Sequence, residues 1–432
     1  MTTRTAPHRL WQNTRYLTWL VSDTSKGLAA ALFGFAIPLL ALIVTNDPAQ
    51  AGIIGGAGMI ARLLMTLAGG VLADRHRRIA LMLLGSAIGI VLAGGFTLLA
   101  LGDALTFGSL LVIDVLLAAR SGLFDVAGES AIKEIVPDEA MGRAQATNQG
   151  RDAALQLAGG PLGGLLLGVG GWLVGVAMTL CHAIAALTAW VLGRQARRAG
   201  VVDEGAAQDD SAAPAARKPN AWAELREGFR WLFSRPDLRG VLLITTIINL
   251  GFNAAITTVI YALQQEGYPE FVIGTLSASI GAVMLVGAAC APMLVPRIRA
   301  GVLTIAGLAV VAGGAVALST VAEPWAIALA LGASVLLLPS LNAAMLGYFM
   351  VATPSALLGR ANSAAGVLAM GAMPLAPLVA GFGLAWIGRE GTLLICAALC
   401  LVSVILAVGN RALRALPVES GWATHAEQFE SA

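Results

Sequence analysis

Apolar stretches of twenty residues and more recur along this chain, each closed by a short polar break. The hydrocarbon core of a bilayer is about 30 Å thick, so a crossing helix needs roughly 20 apolar residues. Twelve stretches qualify. The first six run near 17–45, 50–72, 79–101, 107–127, 145–169 and 173–193. The second six run near 237–262, 272–295, 301–321, 324–350, 362–387 and 391–411. Composition agrees: 57% of the 432 residues are hydrophobic and 12% are charged, against roughly 25% charged in a soluble domain. The expected fold is an all-α membrane protein with twelve transmembrane helices in two six-helix halves.

The polar breaks divide the chain. Residues 1–195 are expected to form one half and 236–412 the other, with a cytoplasmic linker at 196–235 and a tail at 413–432. The centre of the linker, DEGAAQDDSAAPAARKPN, has the composition of a disordered segment. Its end differs. Trp222, Leu225, Phe229 and Leu232 recur at helical spacing, with Glu224, Arg226, Glu227 and Arg230 on other faces. That pattern predicts an interfacial helix that anchors the linker. The polar tail is expected to be mobile. Lysine and arginine collect on alternate connections: Arg75, Arg77 and Arg78; Lys133 and Arg143; Arg194, Arg197 and Arg198; Arg297 and Arg299; Arg360; Arg411 and Arg414. The opposite connections hold only Arg389. By the positive-inside rule the basic side is the cytoplasm, and both termini lie there.

The break after the second stretch reads GGVLADRHRR, Gly69 to Arg78. Glycines at a helix end let another backbone come close, and Asp74 is a negative charge suited to an arginine or a helix N-terminus. An internal repeat also stands out. PDEAMGRA begins at Pro137 and PSALLGRA at Pro354, 217 residues apart (354 − 137), and Gly164 and Gly381 keep that offset (381 − 164). Both copies precede the fifth stretch of their half. The first run resembles motif A of the major facilitator superfamily, G-x-L-A-D-R-x-G-R-R, with Gly70, Leu72, Ala73, Asp74, Arg75 and Arg78 matching. Arg77 stands where that motif has glycine and Ile79 where it has a second basic residue. The repeat fits the two parallel halves of that fold. Within it, WAELREGFRWLFSRPDLRG and VPDEAMGRAQATNQ resemble the branch of drug and siderophore exporters that includes the enterobactin exporter. The resemblance implies a gating role for Gly70, Asp74, Arg75 and Arg78, and for Gly142, Arg143, Gly359 and Arg360 in the repeated element. It also implies that Asp74 meets the start of the eleventh helix, near Arg360 to Ser363, when the cytoplasmic side is shut.

Several function classes fall away. None of the three lysines, Lys26, Lys133 and Lys218, follows a Walker A pattern, so nothing would cradle ATP phosphates. His8, His76, His182 and His425 are scattered, and Cys181, Cys290, Cys396 and Cys400 lie in apolar segments. Neither a metal centre, nor a disulfide framework, nor another cofactor is called for. A net charge of +2 in scattered basic clusters gives no case for nucleic acid. Arg4, Arg9 and Arg15 precede no short apolar core with a cleavage site, so no cleaved signal peptide is expected. An ion gradient, or the substrate's own gradient, remains as the energy source. One charge falling through 100 mV releases about 2.3 kcal/mol, whereas a tenfold substrate gradient costs about 1.4 kcal/mol.

Intramembrane charges are where ion coupling is sought. They are Asp23 and Lys26, Arg62, and Asp114, Arg120 and Asp125, all in the first half. Asp23 and Lys26 are spaced for a local ion pair. Arg62 either braces the second helix against the fourth or takes part in coupling. Asp125 and Glu129 approach the cytoplasmic end of the fourth helix, and His182 fits a buried polar contact. Asp114 lies mid-helix, where low dielectric disfavours a bare carboxylate. It is either the proton carrier or a staple to Arg62 or Arg120; Arg120 has Asp74 and Asp125 as other partners in reach. The family often carries an arginine near this position, in motif B, and this chain does not. LAGGPLGGLLLG, Leu157 to Gly168, resembles motif C of antiporters but is one residue shorter between Pro161 and Gly163. Gly160 and Gly164 permit close helix packing, and Pro161 permits a kink. The second half offers mainly shape. Phe33, Phe35, Asn249, Asn253, Asn342 and Tyr348 are the candidates for substrate-cavity walls, the asparagines serving alternatively as interhelical hydrogen bonds.

These features imply a proton-coupled secondary transporter that exports a small, partly apolar molecule and works as a monomer in the bacterial cytoplasmic membrane. Apolar walls with few polar groups favour amphipathic ligands over sugars. An importer of a small metabolite on the same fold and a non-transporting receptor are the alternatives. No enzymatic activity is expected.

Overall fold

The computed structural model describes residues 10–198, 221–354 and 357–429. Among them every regular element is helical. A backbone in lipid must satisfy its amides internally, and helices do so within one segment. The first part of the chain forms α1 (Thr14–Thr45), α2 (Pro48–Arg75), α3 (Arg78–Leu101), α4 (Phe107–Ile135), α5 (Asp138–Val169) and α6 (Gly171–Arg198). There follow α7 (Ala221–Ser234), α8 (Pro236–Gln265), α9 (Glu270–Leu294), α10 (Ala300–Thr320), α11 (Pro324–Val335), α12 (Leu338–Ala352), α13 (Leu358–Gly371) and α14 (Leu375–Gly409). The chain closes with α15 (Arg411–Ala415) and α16 (Trp422–Glu427).

Ten helical stretches among the described residues are long and apolar enough to cross a membrane. One of them, Leu358–Gly409, is 52 residues long and breaks at Gly388, whose φ of 72° leaves the helical region. The charged α4 is not among the ten. Adding α4 and dividing the longest stretch at Gly388 brings our count to twelve. Local chemistry sets the ends. The Asn13 side chain accepts from the amides of Arg15 and Tyr16 and caps α1. Thr106 and Ser109 form a reciprocal capping box on α4. Several helices outrun their apolar stretch. α5 starts at Asp138 although its membrane-crossing part begins at Thr147, because hydropathy marks only the lipid-embedded part.

The contacts divide the chain into two compact units. The first comprises 1–46, 57–212 and 269–277. There α6 packs on α1 and α3, α4 on α3, and α5 on α1, around Tyr16, Trp19, Met82, Ile132 and Leu192. The second comprises 47–56, 213–268 and 278–432. There α14 packs on α8 and α10, over a core including Ile244, Phe252, Leu303, Val311 and Leu341. Each unit takes in a short stretch at the start of an otherwise foreign helix, and glycines make that possible. In the first unit a Cβ on Gly160 would lie 2.6 Å from the Gly274 carbonyl oxygen, and one on Gly164 would meet the Glu270 backbone. In the second, Gly381 meets the Pro48 backbone and Gly52 meets that of Pro377. Gly164 and Gly381 are the repeated pair, so the repeat encodes equivalent backbone approaches.

α7 forms where amphipathic spacing predicts, and it packs on α13. Gly228 lies against the Arg360 backbone, Leu232 is fully buried, and Glu227 pairs with Arg360 at 3.0 Å. The Trp222 and Leu225 side chains lie outside the described residues, as does the linker centre. The mobile tail expected from composition is corrected by the structure. α15, a single 3-10 turn at Glu419–Gly421 and α16 fold back onto the second unit, with Trp422 buried. Composition misses this because a few scattered apolar residues, Leu413, Leu416, Trp422 and Ala426, hold the segment rather than a continuous apolar stretch.

Candidate functional site

Five charged side chains from α1, α4 and α5 meet inside the first unit. Three residues apart on α1, Asp23 and Lys26 face the same way and pair at 2.9 Å. Lys26 also lies 3.6 Å from Asp125 on α4. Asp125 is held at 3.5 Å by Arg120, and it accepts from the Ser121 hydroxyl at 2.5 Å. From α5, Arg151 reaches the other oxygen of Asp23 at 2.8 Å, with its guanidinium 5.9 Å from the Trp19 ring centre. The Trp19 indole donates to the Gly128 carbonyl. Arg120 is 5–6% exposed and also donates to the Gly85 carbonyl. Ser22, Ser86, Met82, Phe124 and the charged groups of α1 and α4 line a small cavity here.

A charge taken from water needs a close opposite partner, and breaking a buried pair leaves an uncompensated charge. Here cations and anions alternate, and each aspartate is shared by two cations. The arrangement can exchange partners: Lys26 can favour Asp23 or Asp125 while the other is held by its arginine. Arg151 escaped the sequence reading, although its place inside the fifth apolar stretch marked it in the same way as Asp114. Glu129, four residues beyond Asp125, is exposed.

Asp114 stands apart from this cluster. It is 5% exposed on α4 and lies against Gly58 of α2, where no side chain could fit. Its Oδ2 has no hydrogen-bond partner among the described residues. Arg120 is committed to Asp125 and Gly85, so the staple from Asp114 to Arg120 is not formed. Arg62 is exposed. α2 and α4 are braced instead by backbone contact at two glycines, Gly69 against Gly122 and Leu123, and Gly122 against Arg62 and Thr66.

The motif A segment forms the turn from α2 to α3. Gly69 is its packing glycine; Gly70 has open space around it. Arg78 pairs with Glu134 at 3.0 Å and donates to the Ser130 carbonyl, tying the start of α3 to the end of α4. Arg75 is exposed, and the Asp74 side chain lies outside the described residues. In the repeated elements Gly142 sits in the first turns of α5, Arg143 is exposed, and Gly359 begins α13 in open space.

The candidate cavity residues separate. Phe35 packs on Gly163 of α5, while Phe33 is half-buried. Asn249 donates to the Ala369 carbonyl and Asn253 to that of Asn249. Asn342 is exposed. Tyr348 is fully buried, and its hydroxyl is committed to Asp237 at 2.6 Å. Asp237 in turn receives two hydrogen bonds from Arg235, at 3.0 and 2.9 Å. This second-half charge pair was legible as Asp237 opening the seventh stretch. His182 is buried against Gly89 of α3.

Similarity to solved structures supports the fold. The chain resembles a bacterial homologue of the iron transporter ferroportin in an inward-facing state, with a TM-score of 0.66 and 13% identity over 91% of this chain and 97% of that one. It resembles a mutant form of the nucleoside transporter NupG with a TM-score of 0.67 and 12% identity, covering 91% of this chain and 100% of that one. A bacterial homologue of the human lysosomal transporter Spinster gives 0.61 and 14% identity, over 97% and 98%. No curated protein matches by sequence. The profile of the Major Facilitator Superfamily matches residues 24–372, and with an all-helical fold like those of these transporters the chain belongs to that superfamily.

Proposed function

We propose that this membrane transporter is a proton-coupled exporter of a small, partly apolar molecule, drug-like or siderophore-like, working by alternating access. Asp114 carries the proposal. It is a buried carboxylate on α4, with one oxygen unpartnered and no cation bound to it among the described residues. Such a group is rarely retained without a function. Protonated, it is neutral; ionised, it needs water or a partner. A proton carrier requires that proton affinity differ between two conformations, and rearrangement of α2 against α4 would change the surroundings of Asp114.

The Asp23–Lys26–Asp125–Arg120–Arg151 cluster is proposed to hold α1, α4 and α5 in register and to exchange partners as the first half moves. Motif A, through Asp74, is proposed as the cytoplasmic latch. Phe33, Phe35, Asn249, Asn253 and Asn342 are proposed to contact substrate. Residues 1–195 and 236–412 act as the two moving halves, in the bacterial cytoplasmic membrane with both termini inside. The protein functions as a monomer.

The test is Asp114→Asn in proteoliposomes with an imposed pH gradient. The variant is expected to fold and to bind substrate while losing gradient-driven accumulation. Uphill transport at the wild-type rate would remove Asp114 from the mechanism. Flux measured in inverted vesicles distinguishes export from import, and binding without flux in either direction would indicate a receptor.

A further inference from the structure

We propose that residues 410–429 form an acid-released latch, with His425 as the proton acceptor, that ties together the ends of α8, α10 and α12. These partners all lie within the second unit. Asn410 caps α15 by accepting from the Leu413 amide and lies against Gly240 of α8. The Pro417 carbonyl accepts from the Ala300 amide at the start of α10 and from the Trp422 indole. Leu413 lies against Gly301. On α12, a Cβ at Gly347 would come within 2.7 Å of the Trp422 ring, so the absent side chain makes the slot for the tryptophan. Arg235, at the foot of α8, donates to the Ala426 carbonyl. Helices of five and six residues do not persist in water by themselves; these contacts hold them.

His425 sits where the latch meets the buried polar network. Its ring is 6.0 Å from that of Tyr348 on α12 and 5.4 Å from that of Phe429. Its Nε2 is buried and has no partner among the described residues. The charges that bear on it are Asp237 of α8, already bonded to Arg235 and Tyr348, and Arg235 itself, which lies over the Phe429 ring. An imidazolium here would lose water, face the guanidinium and find its natural counter-ion occupied. Burial pushes His425 below the usual histidine range; Asp237 opposes this shift and Arg235 adds to it. The released tail therefore takes up a proton more readily than the docked one. Docking is fully present above about pH 6.5 and weakens as pH falls, by at most tenfold per pH unit for one proton. The tail then no longer bridges the ends of α8, α10 and α12. The latch rests on the proposed orientation only for the statement that cytoplasmic acid releases it.

Hydrogen exchange of the 416–429 segment, measured on the full-length protein in detergent and corrected for intrinsic rates, tests this. Wild type should be protected at pH 7.5, and its protection should fall by up to about tenfold by pH 5.5. His425→Gln should stay protected at both values, and His425→Lys should be unprotected at both. Gly347→Val, which fills the Trp422 slot, should release the tail at pH 7.5 while α8 and α14 remain protected. A wild-type tail with the same protection at both pH values, a His425→Gln tail that opens with acid like the wild type, or a His425→Lys tail that stays docked would each overturn the proposal. So would a protected tail in Gly347→Val.

Discussion

Replacing Asp23 by asparagine keeps the shape of the side chain and removes its charge. Two cations depend on that charge, Lys26 at 2.9 Å and Arg151 at 2.8 Å, and the Asp23 side chain is 6% exposed. Removing one partner of a buried ion pair costs about 3–5 kcal/mol, which sets the upper limit. Three features reduce it. The asparagine carbonyl still turns a dipole toward the cations. Lys26 keeps Asp125 at 3.6 Å, and Arg151 keeps Asp152 at 2.8 Å. The two cations are also 14–15% exposed and retain some water. A loss of about 2–3 kcal/mol follows, below the ~3–5 kcal/mol for a buried pair broken outright. Denaturant titration of detergent-purified protein measures it, in a cycle with Lys26→Met. Once Lys26 is neutral, Asp23→Asn has one fewer cation to strand, so the double variant should lose at least about 1 kcal/mol less than the sum of the single losses. Additivity within about 0.5 kcal/mol would refute the shared-charge reading.

Three further outcomes are expected. Arg78→Ala breaks a half-exposed pair with Glu134 and should cost at most about 1 kcal/mol; a large fall in transport at nearly unchanged stability would assign motif A to gating, whereas a parallel fall in both would make it structural. Asp237→Asn removes a fully buried charge held by Arg235 and Tyr348 and should cost about 3–5 kcal/mol, while Tyr348→Phe should cost about 1–3 kcal/mol; equal losses measured by denaturant titration would contradict that ordering. Gly164→Val and Gly381→Val each push a side chain into a neighbouring backbone, so both should lower the yield of folded protein in size-exclusion profiles, and a wild-type yield from either would show that the close approach is dispensable.

Length and polarity alone carried most of the fold. A run of twenty apolar residues has few stable choices in lipid, so the spans, their order and the two-part organisation are legible wherever the runs are long. Legibility failed where a helix is broken. The tenth and eleventh apolar stretches are each built from two helical pieces, α11 with α12 and α13 with the first part of α14, because a break between residues that all remain apolar leaves no mark in hydropathy. The repeated Gly164 and Gly381 could be matched by counting, yet only coordinates show that each meets the backbone of another helix. The charged residues repeat this division. Sequence placed Asp23, Lys26, Asp114, Arg120 and Asp125 within apolar stretches, because no apolar stretch hides a charge. It could not say that Arg120 serves Asp125 and leaves Asp114 alone, or that Arg151 arrives from α5, or that the His425 ring comes beside Tyr348. Partner choice is a matter of distances of about 3 Å between separate helices. The linear order of residues sets those distances only after every helix has found its rotation and its neighbour.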